Sequence, residues 1–239
     1  MSRLEDALNK AYQAVTAGET ASSVLTPPAF AREQKRSAHL GPVYTNMQLA
    51  LVDVERPIVA FSSALPKEGV STIIFHLASL IAREKRTLVV DFNILNPRLH
   101  KLFQVDNIKG LSDILQGKKR LEECISETGT PNVDLLPCGP IGAGPIQILG
   151  SGVVRKALSD FRSRYEMVLL DCPCLRNFPD SAILASLCDG VALVVRAGKS
   201  KREVIQYSQE LLEKAGAREL GIILNRIRFY IPDFVYRRL

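Results

Sequence analysis

The sequence predicts an α/β domain built on a doubly wound, mostly parallel sheet. Three observations point to it. First, short runs dense in Val, Ile and Leu recur at Ile58–Ser62, Thr87–Asp91, Val133–Pro137, Met167–Asp171, Gly190–Arg196 and Leu220–Asn225. They are apolar at successive rather than alternate positions, as strands covered on both faces are. Second, helical stretches lie between them, among them Thr72–Glu84, Val153–Arg164 and Lys201–Ala215. Strand–helix alternation of this kind builds a parallel sheet with right-handed crossovers. Third, two of the runs end in an acid, Asp91 and Asp171. An open α/β sheet binds its ligand at the carboxyl ends of its strands.

The elements follow in chain order. Ser2 and Glu5 form a capping box, and Leu4, Leu8, Ala11 and Val15 follow at helical spacing. This amphipathic helix stops near Gly18 and leads into a linker rich in Ala, Thr, Ser and Pro. The helix reads either as a frayed terminus or as a peptide that docks in a partner groove. Residues 1–41 are therefore read as helix plus linker, and residues 42–239 as the globular domain. At 46% hydrophobic and 23% charged, the 239-residue chain has the composition of a soluble globular protein. Its apolar runs are too short to span a membrane, and the acidic N-terminus carries no signal core. Five Cys without C-x-x-C spacing read as reduced thiols of the cytosol. No Trp and 6% aromatics disfavour an aromatic nucleic-acid platform. The net charge of +6 permits an acidic partner. Half of that excess lies in residues 226–239, which hold four Arg and one Asp.

The most informative stretch runs from Ile58 to Thr72. It reads strand, small-residue loop Ser62-Ser-Ala-Leu-Pro-Lys-Glu-Gly69, then Ser71-Thr72 and an apolar helix. A phosphate-binding loop has this layout. Backbone N–H groups and a helix N-terminus surround a polyphosphate, and a Ser hydroxyl holds Mg²⁺. Gly69, Ser71 and Thr72 match the pattern G-x-x-x-x-G-K-[ST]; Ala64 stands at its first Gly and Val70 at its Lys. Asp91 and Asp171 end strands where a Mg²⁺–phosphate would lie. The other reading of each acid is a helix cap or turn residue.

Together these segments resemble the bacterial tyrosine kinases (BY-kinases) of capsule and exopolysaccharide synthesis, which are related to the partition and septum-positioning P-loop ATPases. The likeness spans roughly residues 42–228. It is carried by Ser62–Thr72, Val90–His100, Gly110–Gly117, Leu135–Pro140, Tyr165–Pro173, Asp189–Arg196 and Gly221–Asn225. It implies a P-loop NTPase fold that uses ATP/ADP and Mg²⁺. Gly69, Ser71 and Thr72 would touch phosphates and metal. Asp91 would orient or deprotonate the attacking hydroxyl, Asp171 would hold Mg²⁺, and Asn225 would contact adenine. The implied partner is a transmembrane polysaccharide chain-length or export protein, met by a cytoplasmic protein recruited to the inner membrane face.

The departures are equally informative. Val70 replaces the phosphate Lys, Asn93 the second acid of the Walker A′ motif, and Leu95 the Arg two residues on. The E-x-x-R-x-x-R oligomerisation motif would fall at Ala38, Gly41 and Tyr44 and is absent, as is the terminal tyrosine cluster. Losing one preorganised donor costs about 10²–10³ in rate, whereas one charge-assisted bond is worth about 1.5–3 kcal/mol in binding. The expectation is a pseudokinase: phosphoryl transfer severely impaired, nucleotide binding weakened and not necessarily lost. The alternatives are an active tyrosine autokinase and a positioning-type ATPase that binds a surface. Lys67 stands where the family usually has Gly, either reaching the phosphates in place of the missing cation or solvated. Arg196 is a nucleotide contact or an ion-pair residue. Cys172 and Cys174 form a metal or redox C-x-C, or fill small buried positions. His76 reads as a core His. The tail after Asn225 mixes Arg with aromatics, suiting a membrane surface, a partner, or packing on the domain itself.

Overall fold

The computed structural model describes residues 40–140 and 152–227. The expected N-terminal helix and linker, and the tail beyond Ile227, lie outside the described residues.

Seven strands form one sheet in the order β3-β4-β2-β5-β1-β6-β7. They are β1 (Ile58–Ser63), β2 (Thr87–Asp91), β3 (Ser126–Glu127), β4 (Val133–Leu136), β5 (Met167–Asp171), β6 (Gly190–Arg196) and β7 (Glu219–Asn225). All pairings are parallel except β3 with β4. The six apolar runs of the sequence are β1, β2, β4, β5, β6 and β7; the two-residue β3 had no periodic signal to announce it.

The successive apolar residues feed two cores, one on each face. From β1, Ile58 and Ala60 enter one core while Val59 and Phe61 enter the other. On the first face lie α4 (Leu111–Leu115), α5 (Leu121–Cys124), α6 (Gly152–Arg164), α7 (Ser181–Ser186) and α8 (Arg202–Lys214). On the second lie α1 (Gly41–Ala50), α2 (Val70–Ile81) and α3 (Leu99–Phe103). Helix α2 buries Val70, Ile73, Ile74, Leu77, Ala78 and Ile81. That spacing is a helical stripe, and burying each large member is worth about 1.5–3 kcal/mol. The helix begins two residues earlier than Thr72 because Gly69 already turns the chain. Helix α1 was not foreseen. Only Tyr44 and Met47 within it are buried, so its stripe is too narrow to read. Tyr44 is anchored by its hydroxyl, which donates to Glu84 Oε2 at 3.2 Å.

The base of β1 is fixed by a charged clasp. Arg162 Nη2 donates to both carboxylate oxygens of Asp189, at 2.9 and 2.8 Å. Asp189 Oδ2 also accepts the Ile58 N–H at 2.7 Å. This joins α6, the approach to β6 and the first residue of β1, the strand that delivers the loop. Asp189→Ala would strand both the Ile58 N–H and the Arg162 guanidinium. An unmet buried donor costs about 1–3 kcal/mol, so urea unfolding should show a loss of about 2–3 kcal/mol. Asp189→Asn, which still accepts from Ile58, should lose less.

Candidate functional site

β1 ends at Ser63 and α2 starts at Val70; the six residues between them form the loop. Two of these take left-handed backbone, Lys67 (φ 66°) and Gly69 (φ 101°). The first explains why Gly suits position 67: a side chain there carries a local cost of about 1–2 kcal/mol. At position 69 a Cβ would also collide with Asn225 Nδ2. No side chain caps the N-terminus of α2, so its first N–H groups and the positive end of its dipole face the loop.

The loop's internal support is Glu68, which sequence reasoning passed over. Its residue exposure is only 1%. Its Oε2 accepts the Leu65 N–H at 2.8 Å and its Oε1 the Arg196 N–H at 3.1 Å. Ser200 Oγ donates to the same Oε1. The Glu68 carbonyl accepts from Asn225 Nδ2 at 2.7 Å. The only available signal was an acid in the loop beside Lys67, and charged loop residues are ordinarily solvated.

Two carboxylates meet beside the loop. β2 and β5 pair so that Asp91 stands opposite Asp171, and both are fully buried. Asp171 Oδ2 accepts from Ser71 Oγ at 2.5 Å, while Asp171 Oδ1 has no hydrogen-bond partner. Asp91 accepts the N–H groups of Asn93 (3.2 Å), Arg98 (3.0 Å) and Leu99 (3.1 Å). It thus organises the turn into α3, the cap reading that the sequence left open beside the functional one. Burial pushes the Asp91 carboxyl up to about 6, against the pull of those three N–H groups. Asp171 is pushed well above the usual carboxylate range, first by burial and then by the charge of Asp91; the Ser71 hydroxyl opposes this.

A cavity of about 670 Å³ opens at this carboxyl end of the sheet. The expected residues Lys67, Gly69, Ser71, Thr72 and Arg196 line it together. So do four cations the sequence did not single out: Arg98, Lys101, Lys199 and Arg226. Asp91 and Asp171 are not on its wall, although Ser71, Asn93 and Cys172 beside them are. Asn225 is not on the wall either. Its Nδ2 donates to the Glu68 carbonyl of the loop and its Oδ1 accepts the Arg226 N–H at 2.8 Å. Val70 belongs to the same core cluster as Ile73, Ile74 and Phe61, at 7% exposure, and also lines the cavity. Arg196 has no ion-pair partner among the described residues. Cys172 is buried and, with Cys174, borders the cavity; no group of three or more His, Cys, Asp or Glu side chains placed to hold a metal occurs among the described residues. His76 is buried, with its ring edge-on to Phe75 at 5.3 Å.

These groups fit a polyphosphate with its cation. An uncapped helix start and basic walls suit phosphate, and the partnerless Asp171 Oδ1 with the Ser71 hydroxyl is the hard-oxygen donor set Mg²⁺ prefers. Ser71 and Asp171 are the residues that would hold Mg²⁺; loop N–H groups would hold phosphate.

The buried pair sets a pH dependence. The unfolded Asp91 carboxyl releases its proton near 3.8, the folded one near 6. The folded state is therefore favoured by this group below about pH 4 and loses that benefit as pH rises through 6. In Mg²⁺-free buffer, Asp91→Asn should raise stability at pH 7.5 by about 1–2 kcal/mol after the loss of one hydrogen bond. The gain should shrink as pH falls from 6 towards 4, measured by thermal melts across the range. A second expectation concerns the left-handed Lys67: Lys67→Gly should leave unfolding stability equal or raised by up to about 1 kcal/mol.

No model of a known protein family matches the chain. Individual proteins do. The tyrosine-protein kinase CpsD of Streptococcus agalactiae is 31% identical over 203 residues, covering 84% of this chain and 88% of that protein. The tyrosine-protein kinase YwqD of Bacillus subtilis is 30% identical over 200 residues, 83% of this chain and 82% of the relative. Among solved structures, the VpsO kinase domain superposes with a TM-score of 0.74 at 29% identity, covering 82% of this chain and 97% of that one. The septum site-determining protein MinD of Pyrococcus horikoshii, solved with Mg-ADP, matches with a TM-score of 0.61 at 25% identity over 77% of this chain and 76% of its own. With the loop, the paired strand-end acids and these relatives in agreement, the chain belongs to the bacterial tyrosine kinase family of P-loop proteins.

Proposed function

We propose that this chain is a regulatory or scaffolding member of its family, a nucleotide-responsive pseudokinase rather than an efficient kinase. The observation that carries this is Val70, buried in the apolar core at the position of the family's phosphate Lys. Phosphoryl transfer relies on positioned positive charge at the γ-phosphate, and here that position is occupied by a branched hydrocarbon. Binding depends on more groups than transfer does. Ser71, Thr72, the α2 N-terminus and Asp171 remain, and the cavity walls are basic. ATP or ADP with Mg²⁺ is thus the ligand, held more weakly than with a Lys in place.

The resemblance to exopolysaccharide and capsule kinases supports a role in polysaccharide assembly beside a transmembrane chain-length or export protein. No helix among the described residues is long and apolar enough to cross a membrane, and cytoplasmic placement with recruitment to the membrane by that partner belongs to the same proposal. The basic tail is a second contact for the membrane surface. One observation favours the active-kinase reading: Lys67 lines the cavity and is exposed there. Lys67→Ala distinguishes the two.

Purified protein incubated with ATP and Mg²⁺ should form no phosphotyrosine above a Asp171→Ala control; phosphotyrosine that depends on Lys67 would establish the active reading instead. In calorimetric titrations, Val70→Lys should tighten MgADP binding by about 10- to 100-fold, the worth of one charge-assisted bond. Equal affinity in both proteins would mean that the walls already supply the missing charge.

A further inference from the structure

The loop and the turn after β6 are held as one body, and the group that joins them is Glu68. Burying a carboxylate is costly unless it is met by donors or a cation. Glu68 has no ion-pair partner among the described residues; it is met only by N–H and O–H groups. One oxygen accepts from its own loop at Leu65. The other accepts from Arg196 and Ser200, at the two ends of a turn. That turn closes on itself through Lys199 N–H to Arg196 carbonyl at 3.2 Å, and passes Gly198 in left-handed backbone. Its Arg196 and Lys199 line the same cavity as the loop's Lys67 and Gly69. The third strand end enters through Asn225, whose side chain donates to the Glu68 carbonyl while its own carbonyl accepts the Ala197 N–H at 2.9 Å.

We propose that Glu68 is a positioning residue that couples the phosphate loop to the Arg196–Ser200 turn, so that the two cationic walls of the nucleotide site move and bind as a unit. This rests on the nucleotide reading for its ligand, but not for the coupling itself. In a loop without the phosphate Lys, no side-chain cation of α2 anchors the ligand. Affinity then depends on how well the N–H groups and the two walls are preorganised. A carboxylate can accept from both sides at once; an amide at the same place presents one acceptor and one donor. A donor facing the Leu65 or Arg196 N–H would push the loop and the turn apart.

The test works from the far side of the contact, at Ser200, which makes no part of the cavity wall. Hydrogen–deuterium exchange is followed on the intact chain without nucleotide, for wild type, Ser200→Ala and Glu68→Gln. MgADP affinity of each is then measured by calorimetry, with thermal melts to verify folding. The expected result is that Ser200→Ala raises exchange in the loop (residues 64–69) as well as in its own turn, and weakens MgADP binding about 3- to 10-fold. Glu68→Gln should do both more strongly. Exchange that rises only in residues 196–201 for Ser200→Ala, with the loop unchanged in both variants, overturns the coupling. Coupled exchange without MgADP binding by any of the three proteins upholds the coupling and refutes the nucleotide reading instead. If Glu68→Gln unfolds, Ser200→Ala alone decides, since it deletes one hydroxyl from the edge of the network.

Discussion

A parallel sheet covered on both faces leaves its strand ends as the place where backbone and side chains must satisfy polar groups without help from a neighbouring strand. That constraint organises the functional end of this molecule. Asp91 and Asp171 end neighbouring strands and are buried side by side. Glu68 is buried a short distance along the loop from β1. Each acid is stabilised by donors of the connecting segments: the turn into α3 for Asp91, the start of α2 for Asp171, and the turn after β6 for Glu68. The carboxylates are therefore structural elements of the candidate site. They shape the segments that form the cavity, and the one oxygen left without a partner, Asp171 Oδ1, is where a cation would complete the set.

The charge of the protein takes on meaning from this arrangement. Overall the chain carries +6. Six of its basic side chains face the cavity, from the loop, from α3 and its approach, and from the ends of β6 and β7. None of them is at the position of the Walker Lys, which Val70 fills with core packing. Positive charge is thus spread over the walls of the site and absent from the Val70 position on the same wall. Spread charge attracts and retains a polyphosphate, because attraction falls slowly with distance in a partly enclosed site. It serves transfer less well, because that needs a donor placed at the reacting group. The proposed separation between binding and chemistry rests on where the cations are, more than on how many there are.

Strands β1, β2, β5 and β6 were legible because each is a nearly continuous apolar run buried on both faces; the edge strand β7 keeps the apolar run although Ile222 and Leu224 are exposed. Helices α2, α6 and α8 were legible by their stripes. The short helices α3, α4, α5 and α7 were not; each is four to six residues long, too short for a period to show. Within the site, Gly69, Ser71, Asp91 and Asp171 could be found from their places after strands. Glu68, Arg98, Lys101 and Lys199 could not, since nothing in a charged residue of a loop or a five-residue helix says whether it points inward or to solvent.

By itself, the sequence determined the parallel α/β architecture, the position of the phosphate loop and the loss of its Lys, since these depend on local pattern and residue identity. Only the tertiary structure decided which charges meet. It put Asp91 opposite Asp171 through the β2–β5 register, turned Glu68 inward to join three strand ends, and bonded Asn225 to the loop's Glu68 carbonyl. The physical reason is that such contacts link residues far apart in the chain, from Glu68 to Asn225 for instance. Their geometry is set by strand order and register, which no local stretch of sequence encodes.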